Sequence, residues 1–444
     1  MRRAVLIIVA VAVGALAVVI GMRAKSKGGP GVEVSPARPN VPAGKTTTQQ
    51  AAATPADRLI AASQTVIARM PAEARGYNQL AAAYMQKARE TGDFGFNSQA
   101  EESLARSFQA APDNYDGLKL RAKLLLTLHR FPEALEVARR ARAINPRDHD
   151  VYGAMTDALV ELGDYPAAVE AAQAMVDLRP DTASYSRISY LRSLHGDTAG
   201  AVEAMRLAAG SAAPRDPEGV AWCLVHLGDE LVNAGQPKEA EREYDRALFV
   251  FPDYHLALAA KARARFAADD ADAAVSFYQR AVGRVPLPEY AAALGDLYAK
   301  LGRADEARRQ YELVEFVERA GGAQGQTYSR QLAMFWADHD TRLDEALEVA
   351  RRERAARNDI YTADALAWCL YKKGRFDEAA AAMKDALRLG TRDPRLLYHA
   401  GMIARARGDA GGAAKHLRDS LKLNPAFDPL QADEARRTLR ALGG

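Results

Sequence analysis

Between Ala221 and Pro252 the chain contains two stretches of helical hydrophobic periodicity separated by a short polar break. Apolar residues recur every three or four positions across Leu224–Leu231, the pattern stops at Gly235, and it resumes across Ala240–Leu248. Spacing of this kind places the apolar side chains on one face of an α-helix, and a proline after such a run ends the helix. The segment is therefore predicted to form a helix, a tight turn and a second helix antiparallel to the first.

Small residues mark the places where these two helices approach each other. Gly228 on the first helix and Ala240 on the second are predicted to lie at the contact, because larger side chains would push the axes apart. The same pattern returns 34 residues later with Ala262 and Ala274, so the period extends beyond one segment. A unit of this size cannot bury its own apolar face, and its copies must stack on one another.

Copies of this unit recur from residue 57 to residue 428, and we count about ten. The most regular copies are closed by prolines at intervals of 34 residues: Pro112, Pro146 and Pro180. One copy carries an insertion around Arg89–Asn97, which is predicted to project as a loop. Another has no closing proline, and its second helix is expected to continue to Gly321–Gly322. The chain lacks long alternating β-branched runs, so the predicted class is all-α.

The repeated pattern resembles the tetratricopeptide repeat. The positions that carry the resemblance in one copy are Leu227, Gly228, Leu231, Ala240, Tyr244, Ala247 and Pro252. The resemblance implies a right-handed α-solenoid over residues 57–428, in which the first helices line a concave surface that binds partners. This pattern is specific for the fold and unspecific for the function. The stretches ARETGDFGFN and ALAWCLYKKGR also resemble those of a bacterial group of such proteins.

The two ends of a solenoid need a solvated outer face. The helical pattern that begins at Asp57 and ends before Pro71 is predicted to be a single helix that caps the first repeat. Residues 429–444 are predicted to form the C-terminal capping helix. Arg436, Arg437 and Arg440 lie on one side of it, which we interpret as the side that faces water.

Residues 1–24 differ from the remainder in hydropathy. Ala4–Met22 is an uncharged run of 19 residues, which is long enough to cross a bilayer as a helix. Basic residues follow it directly, and this flank favours an uncleaved single-pass anchor. The alternative is a signal peptide cleaved near Ala15–Ala17. Residues 25–56 are rich in Pro, Gly, Thr and Ala and are predicted to be a disordered tether.

Flanking charge does not fix the side of the membrane, because Arg2, Arg3 and the amino terminus nearly balance the basic residues after the run. The composition of the tether favours an extracytoplasmic solenoid. A secreted protein and a solenoid on the cytoplasmic face are the alternatives. Cys223 and Cys369 are interpreted as isolated, buried thiols that form no disulfide, which argues weakly for the cytoplasm.

The charge distribution and the absence of known motifs argue against several classes of function. The formal net charge is +3, but residues 1–56 hold seven of the 60 basic residues and one of the 57 acidic residues. The solenoid itself is slightly acidic, so nucleic acid is not an expected partner. The sequence has no phosphate-loop, dinucleotide-binding, serine-hydrolase or zinc-protease motif. We expect no enzymatic activity, no cofactor, no metal and no small-molecule substrate.

The concave positions that the resemblance assigns are rich, in three repeats, in aromatic, methionine and arginine side chains. Aromatic residues and arginine are types that anchor protein partners. These candidate groove residues are Arg330, Met334, Tyr361, Asp364, Trp368, Tyr371, Arg395, Tyr398, Met402 and Arg405. A register shifted by one position would instead place Trp368 and Tyr371 in the core. A second candidate groove lies around Lys119, Lys123 and Asp157, where the family's basic clamp for a terminal carboxylate is not reproduced.

The sequence therefore predicts a membrane-tethered scaffold that binds a protein or peptide segment in its concave groove and helps to assemble a complex at the membrane. The alternative is an accessory subunit or enzyme with a cation-binding loop at Asp338–Asp340, a turn that we otherwise interpret as solvated and polar. A third possibility is a spacer that binds no partner or associates with itself.

Overall fold

A computed structural model describes residues 55–91, 93–322 and 329–443, and these residues form 22 α-helices and no β-strand. The helices are α1 (Pro55–Arg69), α2 (Ala74–Thr91), α3 (Gly95–Ala110), α4 (Tyr115–Thr127), α5 (Phe131–Ile144), α6 (His149–Glu161), α7 (Tyr165–Leu178), α8 (Thr182–Leu194), α9 (Thr198–Ser211), α10 (Pro217–Asn233), α11 (Pro237–Val250), α12 (His255–Ala267), α13 (Ala271–Arg284), α14 (Pro288–Lys300), α15 (Ala304–Gly322), α16 (Ser329–Asp338), α17 (Leu343–Ala356), α18 (Ile360–Lys372), α19 (Phe376–Ala386), α20 (Pro394–Ala406), α21 (Ala410–Leu423) and α22 (Gln431–Ala441). None of these helices is long and apolar enough to span a bilayer. The anchor predicted in residues 1–24 lies outside the described residues, and so do residues 25–54 of the predicted tether.

Consecutive helices pack as hairpins, from α2 with α3 to α20 with α21. The ten hairpins equal the number of repeats that the periodicity predicts. Helix α1 packs against α2, and α22 packs against α21. The first helix of one hairpin also contacts the first helix of the next, as α4 contacts α6 and α18 contacts α20. The first helices therefore form one continuous inner layer, and the second helices lie outside it.

The turn between α8 and α9 shows how the local sequence ends one helix and begins the next. Gly196 has φ of 74°, a left-handed conformation that glycine adopts without steric cost. The Asp197 carboxylate then accepts a hydrogen bond of 2.9 Å from the Gly200 amide and caps α9. Glycine and aspartate together thus set the tight reversal of the chain.

The close approach of paired helices, predicted from small residues, is confirmed within α10 and α11. A β-carbon on Gly228 would lie 2.2 Å from the ring of Tyr244, and Ala240 is completely buried. The pair Gly295 and Tyr311 repeats the arrangement in α14 and α15, with a distance of 2.4 Å. A tyrosine of the second helix fills the space that a side chain on the glycine would occupy.

The prediction that Arg89–Asn97 projects as a loop is wrong. Helix α2 continues to Thr91 and α3 begins at Gly95, so the insertion lengthens both helices. The physical reason is apolar burial near the turn: Phe94 is buried, and Phe96 stacks on Tyr84 with ring centroids 6.1 Å apart. Burying aromatic surface stabilises the added helical turns. The prediction for the other irregular copy is confirmed, because α15 runs to Gly322.

Repeats that are distant in sequence also contact each other. A solenoid is expected to have contacts between neighbouring repeats only, so these contacts are additional. The Asn358 amide donates to the Glu161 carbonyl at 2.9 Å, and the Ile360 amide donates to the Tyr165 hydroxyl at 3.0 Å. We call the contact of residues 161–165 and 194–196 with residues 357–360 and 388–391 the seam. It joins the turns after α6 and α8 to the segments before α18 and α20.

Glycines and a buried arginine complete the seam. A β-carbon on Gly163 would lie 2.3 Å from the Asn358 carbonyl oxygen, and one on Gly196 would lie 2.7 Å from that of Gly390. Arg357, which is 6% exposed, pairs with Glu161 at 3.1 Å. The solenoid therefore curves back on itself instead of remaining an open array.

The C-terminal helix returns toward the inner layer. Lys300 at the end of α14 contacts Asp433 of α22 at 2.7 Å and the Pro429 carbonyl at 3.1 Å. Ala435 is buried against the preceding hairpin, whereas the side chain of Arg437 is 60% exposed. Helix α22 thus covers the last repeat with one face and meets solvent with the other.

Candidate functional site

The inner layer encloses a cavity of about 400 Å³. Its wall is formed by the first helices α12, α14, α16, α18 and α20, by Tyr278 of α13, and by residues 426–429 ahead of α22. Five of the ten candidate groove residues line it: Arg330, Met334, Tyr361, Asp364 and Arg395. Arg263 and Glu289 belong to the same wall and were missed, because the sequence gives no sign that α12 and α14 face these helices.

Trp368 was expected to present its ring to a partner, and this expectation is wrong. The side chain is 2% exposed, stacks on His399 at 4.1 Å and on Tyr371 at 4.8 Å. Its indole N–H donates to the Asp338 carboxylate at 2.8 Å. Trp368 therefore belongs to the apolar core of the last repeats, as the shifted-register alternative states.

Four further candidates lie away from the cavity. Tyr398 and Met402 are buried in the same core as Trp368, and half-buried Tyr371 packs against it. Arg405 donates to the Thr438 hydroxyl of α22 at 3.1 Å. Helix α22 therefore holds Arg405 away from the groove, and the other three side chains pack in the core between the helices of the last repeats.

The three arginines that line the cavity each hold a carboxylate from a neighbouring repeat. The pairs are Arg263 with Asp229 at 3.0 Å, Arg330 with Asp359 at 3.1 Å, and Arg395 with Asp428 at 2.7 Å. These ion pairs link successive repeats along the inner wall. Their nitrogen donors are therefore partly occupied before any ligand arrives.

Among the described residues, two carboxylates of the cavity bond to no basic side chain, whereas Asp296 and Asp364 bond to histidines and Asp428 to Arg395. Asp338 accepts hydrogen bonds from the neutral groups of Trp368 and Gln431, at 2.8 and 2.6 Å, and burial raises its pKa. Among the described residues, no side chain bonds to Glu289. Its side chain is exposed to the solvent of the cavity.

The turn Asp338–Asp340 does not gather its three side chains around one point. His339 bonds to Asp296 at 2.8 Å; burial alone would lower its pKa, but the Asp296 carboxylate and the Phe335 carbonyl together raise it. Asp340 points to Lys372 at 2.8 Å. The alternative of a cation-binding loop at this turn is therefore wrong, because each side chain serves a different contact.

The second candidate groove is a chain of internal ion pairs. Lys119 contacts Asp148 at 2.6 Å and Lys123 contacts Asp150 at 3.4 Å. Asp157, which is buried, accepts a hydrogen bond of 2.8 Å from Arg187. Asp148, His149 and Asp150 also bring ligand atoms within 4.8 Å of one another. Because both lysines already neutralise the two aspartates, this group offers a poor site for a cation or a mixed-charge partner.

The pH dependence of stability can test whether Glu230 of α10 is buried in the inner layer. Desolvation raises its pKa from 4.5 to about 7, against the hydrogen bond from the Ser193 hydroxyl at 3.1 Å. A carboxyl group with a raised folded-state pKa stabilises the fold fully below its unfolded pKa, and this contribution is lost as the pH rises toward 7. When the pH rises from about 4.5 to about 8, the native chain should therefore lose more unfolding free energy than Glu230→Gln. The difference between the two losses should be about 1 to 3 kcal/mol.

Urea unfolding of both proteins at the two pH values measures this difference. The matched control is Glu170→Gln, which changes an exposed carboxyl group on α7 and should follow the native pH dependence. Equal pH dependence of Glu230→Gln and the native chain would show that Glu230 ionises as freely when folded as when unfolded.

Two family models of the tetratricopeptide repeat match the chain. One matches residues 85–149, 226–287 and 365–426, and the other matches residues 125–189. The matched segments fall on hairpins of the solenoid at its beginning, middle and end. The chain is therefore a tetratricopeptide repeat protein, and this confirms the family that the periodicity and small residues indicate.

Several solved structures are similar at low sequence identity. The human IFIT1 dimer with PPP-AAAA has 11% identity and a TM-score of 0.43, covering 83% of this chain and 94% of that one. The APC/C hetero-tetramer Cut9–Hcn1 has 15% identity and a TM-score of 0.32, covering 86% and 92%. PilW, a type IV pilus biogenesis factor, has 19% identity and a TM-score of 0.31, covering 53% and 90%. No curated protein matches the sequence.

Proposed function

We propose that this protein is a membrane-tethered scaffold that binds a segment of a partner protein in the inner cavity and so helps to assemble a complex at the membrane. Tetratricopeptide repeats are typically non-catalytic and mediate contacts between proteins. The observation that carries the proposal is the cavity, because first helices of five consecutive repeats converge on it.

The size and lining of the cavity favour a segment over a folded domain. A volume of about 400 Å³ is in the range of sites that enclose small ligands or a few side chains. Aromatic and apolar side chains supply surface for burial, and the phenyl and phenol rings among them are Phe266, Tyr278, Tyr290, Phe335, Tyr361 and Phe427. A peptide that inserts one or two anchor side chains fits this geometry, and anchors of that kind supply most of the affinity of an interface.

Photo-cross-linking in cells tests the proposed groove. Met334 lines the cavity, and p-benzoylphenylalanine at this position should cross-link to one defined segment of one partner. The matched control places the same group at Glu348 on the outer helix α17, where the side chain is 70% exposed. Equal cross-linking from both positions, or none from position 334, would contradict the proposal.

The membrane tether rests on the uncharged run Ala4–Met22 and on the basic residues that follow it. We propose a single-pass anchor with the solenoid on the extracytoplasmic side, in a bacterial cell. Thr47→Cys, labelled with a membrane-impermeant thiol reagent, tests this orientation. Cys223 and Cys369 are completely buried, so the native chain serves as the unlabelled control.

Labelling of Thr47→Cys on intact cells is the expected result. Labelling only after lysis would place the solenoid in the cytoplasm. Recovery of the protein in the soluble fraction after cell disruption would instead indicate that residues 1–24 are removed, and it would contradict the tether.

A further inference from the structure

We infer that the inner cavity selects a cationic group, a lysine or arginine side chain of the bound segment, through the carboxylates of Asp338 and Glu289. This inference rests on the proposed function and specifies the chemistry of the ligand. Three kinds of observation support it: the distribution of charge in the cavity, an unsatisfied acceptor beside Asp338, and the aromatic rings of the wall.

The charged groups of the cavity are unequal in number and in pairing. Five carboxylates, three guanidinium groups and the His339 imidazole line it. Each guanidinium already bonds a carboxylate at 2.7 to 3.1 Å. An anionic ligand would have to compete with these carboxylates, whereas a cation would meet acidic groups that lack a cationic partner. The electrostatic potential of the cavity therefore favours positive charge.

Either of the two carboxylates can engage a cation, because neither forms a salt bridge among the described residues. Glu289 has no bonded side chain among the residues that the structure describes, and Asp338 has only neutral donors. Burial raises the pKa of Asp338 even though the positive charges of Arg395 and His399 act to lower it. A lysine ammonium or arginine guanidinium beside either carboxylate would lower the pKa of that carboxylate.

Gln431 supplies an independent indication of a missing donor. It is 8% exposed, and its amide nitrogen bonds to Asp338 at 2.6 Å. Its side-chain oxygen is buried and has no hydrogen-bond partner among the described residues. An unsatisfied buried acceptor costs free energy. Gln431 itself does not line the cavity, so a cation would meet this part of the wall at Asp338, and ammonium and guanidinium groups carry several donors and no acceptor.

The rings of the wall suit the remainder of such a side chain. Phe335 on α16 and Phe427 ahead of α22 line the same cavity as Asp338. The aliphatic stem of lysine or arginine buries apolar surface against rings of this kind, and the charged end gains a cation–π contribution. Carboxylates and rings together therefore discriminate a basic side chain from a small inorganic cation.

Fluorine NMR of the full-length chain in detergent tests the inference. The protein has three tryptophans, so labelling with 5-fluorotryptophan gives three signals, and Trp368→Phe identifies the one that belongs to Trp368. Since the Trp368 indole bonds to Asp338, a ligand that engages this carboxylate should move that signal. The probes are acetylated, amidated pentapeptides Ala-Ala-X-Ala-Ala in which X is Lys, Arg, Met or Glu.

The Lys and Arg peptides should shift the Trp368 signal with an affinity at least about tenfold higher than that of the Met peptide, and added salt should weaken them. Glu289→Gln should reduce this preference several-fold, and Asp338→Asn should reduce it further. Asp340→Asn is the matched control, because Asp340 points away from the cavity to Lys372 and should leave the preference unchanged.

Tighter binding of the Glu peptide, equal binding of all four peptides, or absence of any shift would overturn the inference. These results remain distinguishable from failure of the proposed function, because cross-linking from position 334 does not depend on the charge of the partner. A defined cross-link together with preference for the Glu peptide would retain the scaffold and reject the cationic ligand.

Discussion

Replacing Arg357 with methionine should open the seam and destabilise the solenoid by about 3 to 5 kcal/mol, the cost typical of breaking a buried ion pair on one side. Arg357 is 6% exposed and pairs with Glu161 at 3.1 Å and Glu353 at 2.7 Å. Removing it leaves Glu161 in an environment that already raises its pKa by desolvation. Urea unfolding measures the loss, and small-angle X-ray scattering should show an increased radius of gyration.

Two further variants separate charge from packing in this experiment. Arg352→Met, on the same helix α17, removes an arginine whose side chain is 70% exposed and should change stability by less than about 0.5 kcal/mol. Adding Glu161→Gln to Arg357→Met removes the orphaned charge and should recover part of the lost stability. An Arg357→Met protein with native stability and native radius would show that the seam contributes nothing to the closed shape.

Gly228→Ala should destabilise the protein by about 1 to 3 kcal/mol, the usual cost of overpacking a filled core. The added β-carbon would lie 2.2 Å from the ring of Tyr244, a ring whose hydroxyl is fixed by Asp229 at 2.9 Å. The ring cannot move aside without losing that bond, so the two helices must separate. The midpoint of urea unfolding, followed by circular dichroism, measures the effect.

Gly283→Ala is the matched control, because it also replaces a helical glycine and its β-carbon would meet no atom within 4 Å. It should stabilise the chain by up to about 1 kcal/mol through helix propensity. If Gly228→Ala raised the midpoint as Gly283→Ala does, the close approach of α10 and α11 would not depend on the missing side chain.

The sequence predicts the helices, their pairing and their close contacts, because these follow from interactions within about 34 residues. Gly228 and Ala240 show this directly, since their small size is visible in the pattern and decisive in the structure. The insertion near Phe94 was misinterpreted because glycine and charged residues favour a loop locally. Burial of Phe94 is a tertiary effect that local pattern does not contain.

Only half of the ten candidate residues lie in the site, for a related reason. Arg330 and Arg395 lie on first helices at positions that face inward in any such array. The direction in which the Trp368 ring points depends on how far its helix is rotated about its own axis. A rotation by one residue position moves the ring from the groove into the core. The contributions of Glu289 and the seam depend on the curvature of the whole array, which accumulates over many repeats and has no signature in any one of them.

The seam also affects the order in which the molecule is completed during its synthesis. Glu161 and Arg357 are separated by 196 positions in the chain, so the first repeats leave the ribosome long before the residues that they contact. Until Arg357 emerges, Glu161 lacks its salt bridge across the seam, and the turns after α6 and α8 remain uncovered. A chain that stops before this residue would contain several intact repeats and would still lack the contact that gives the solenoid its closed form.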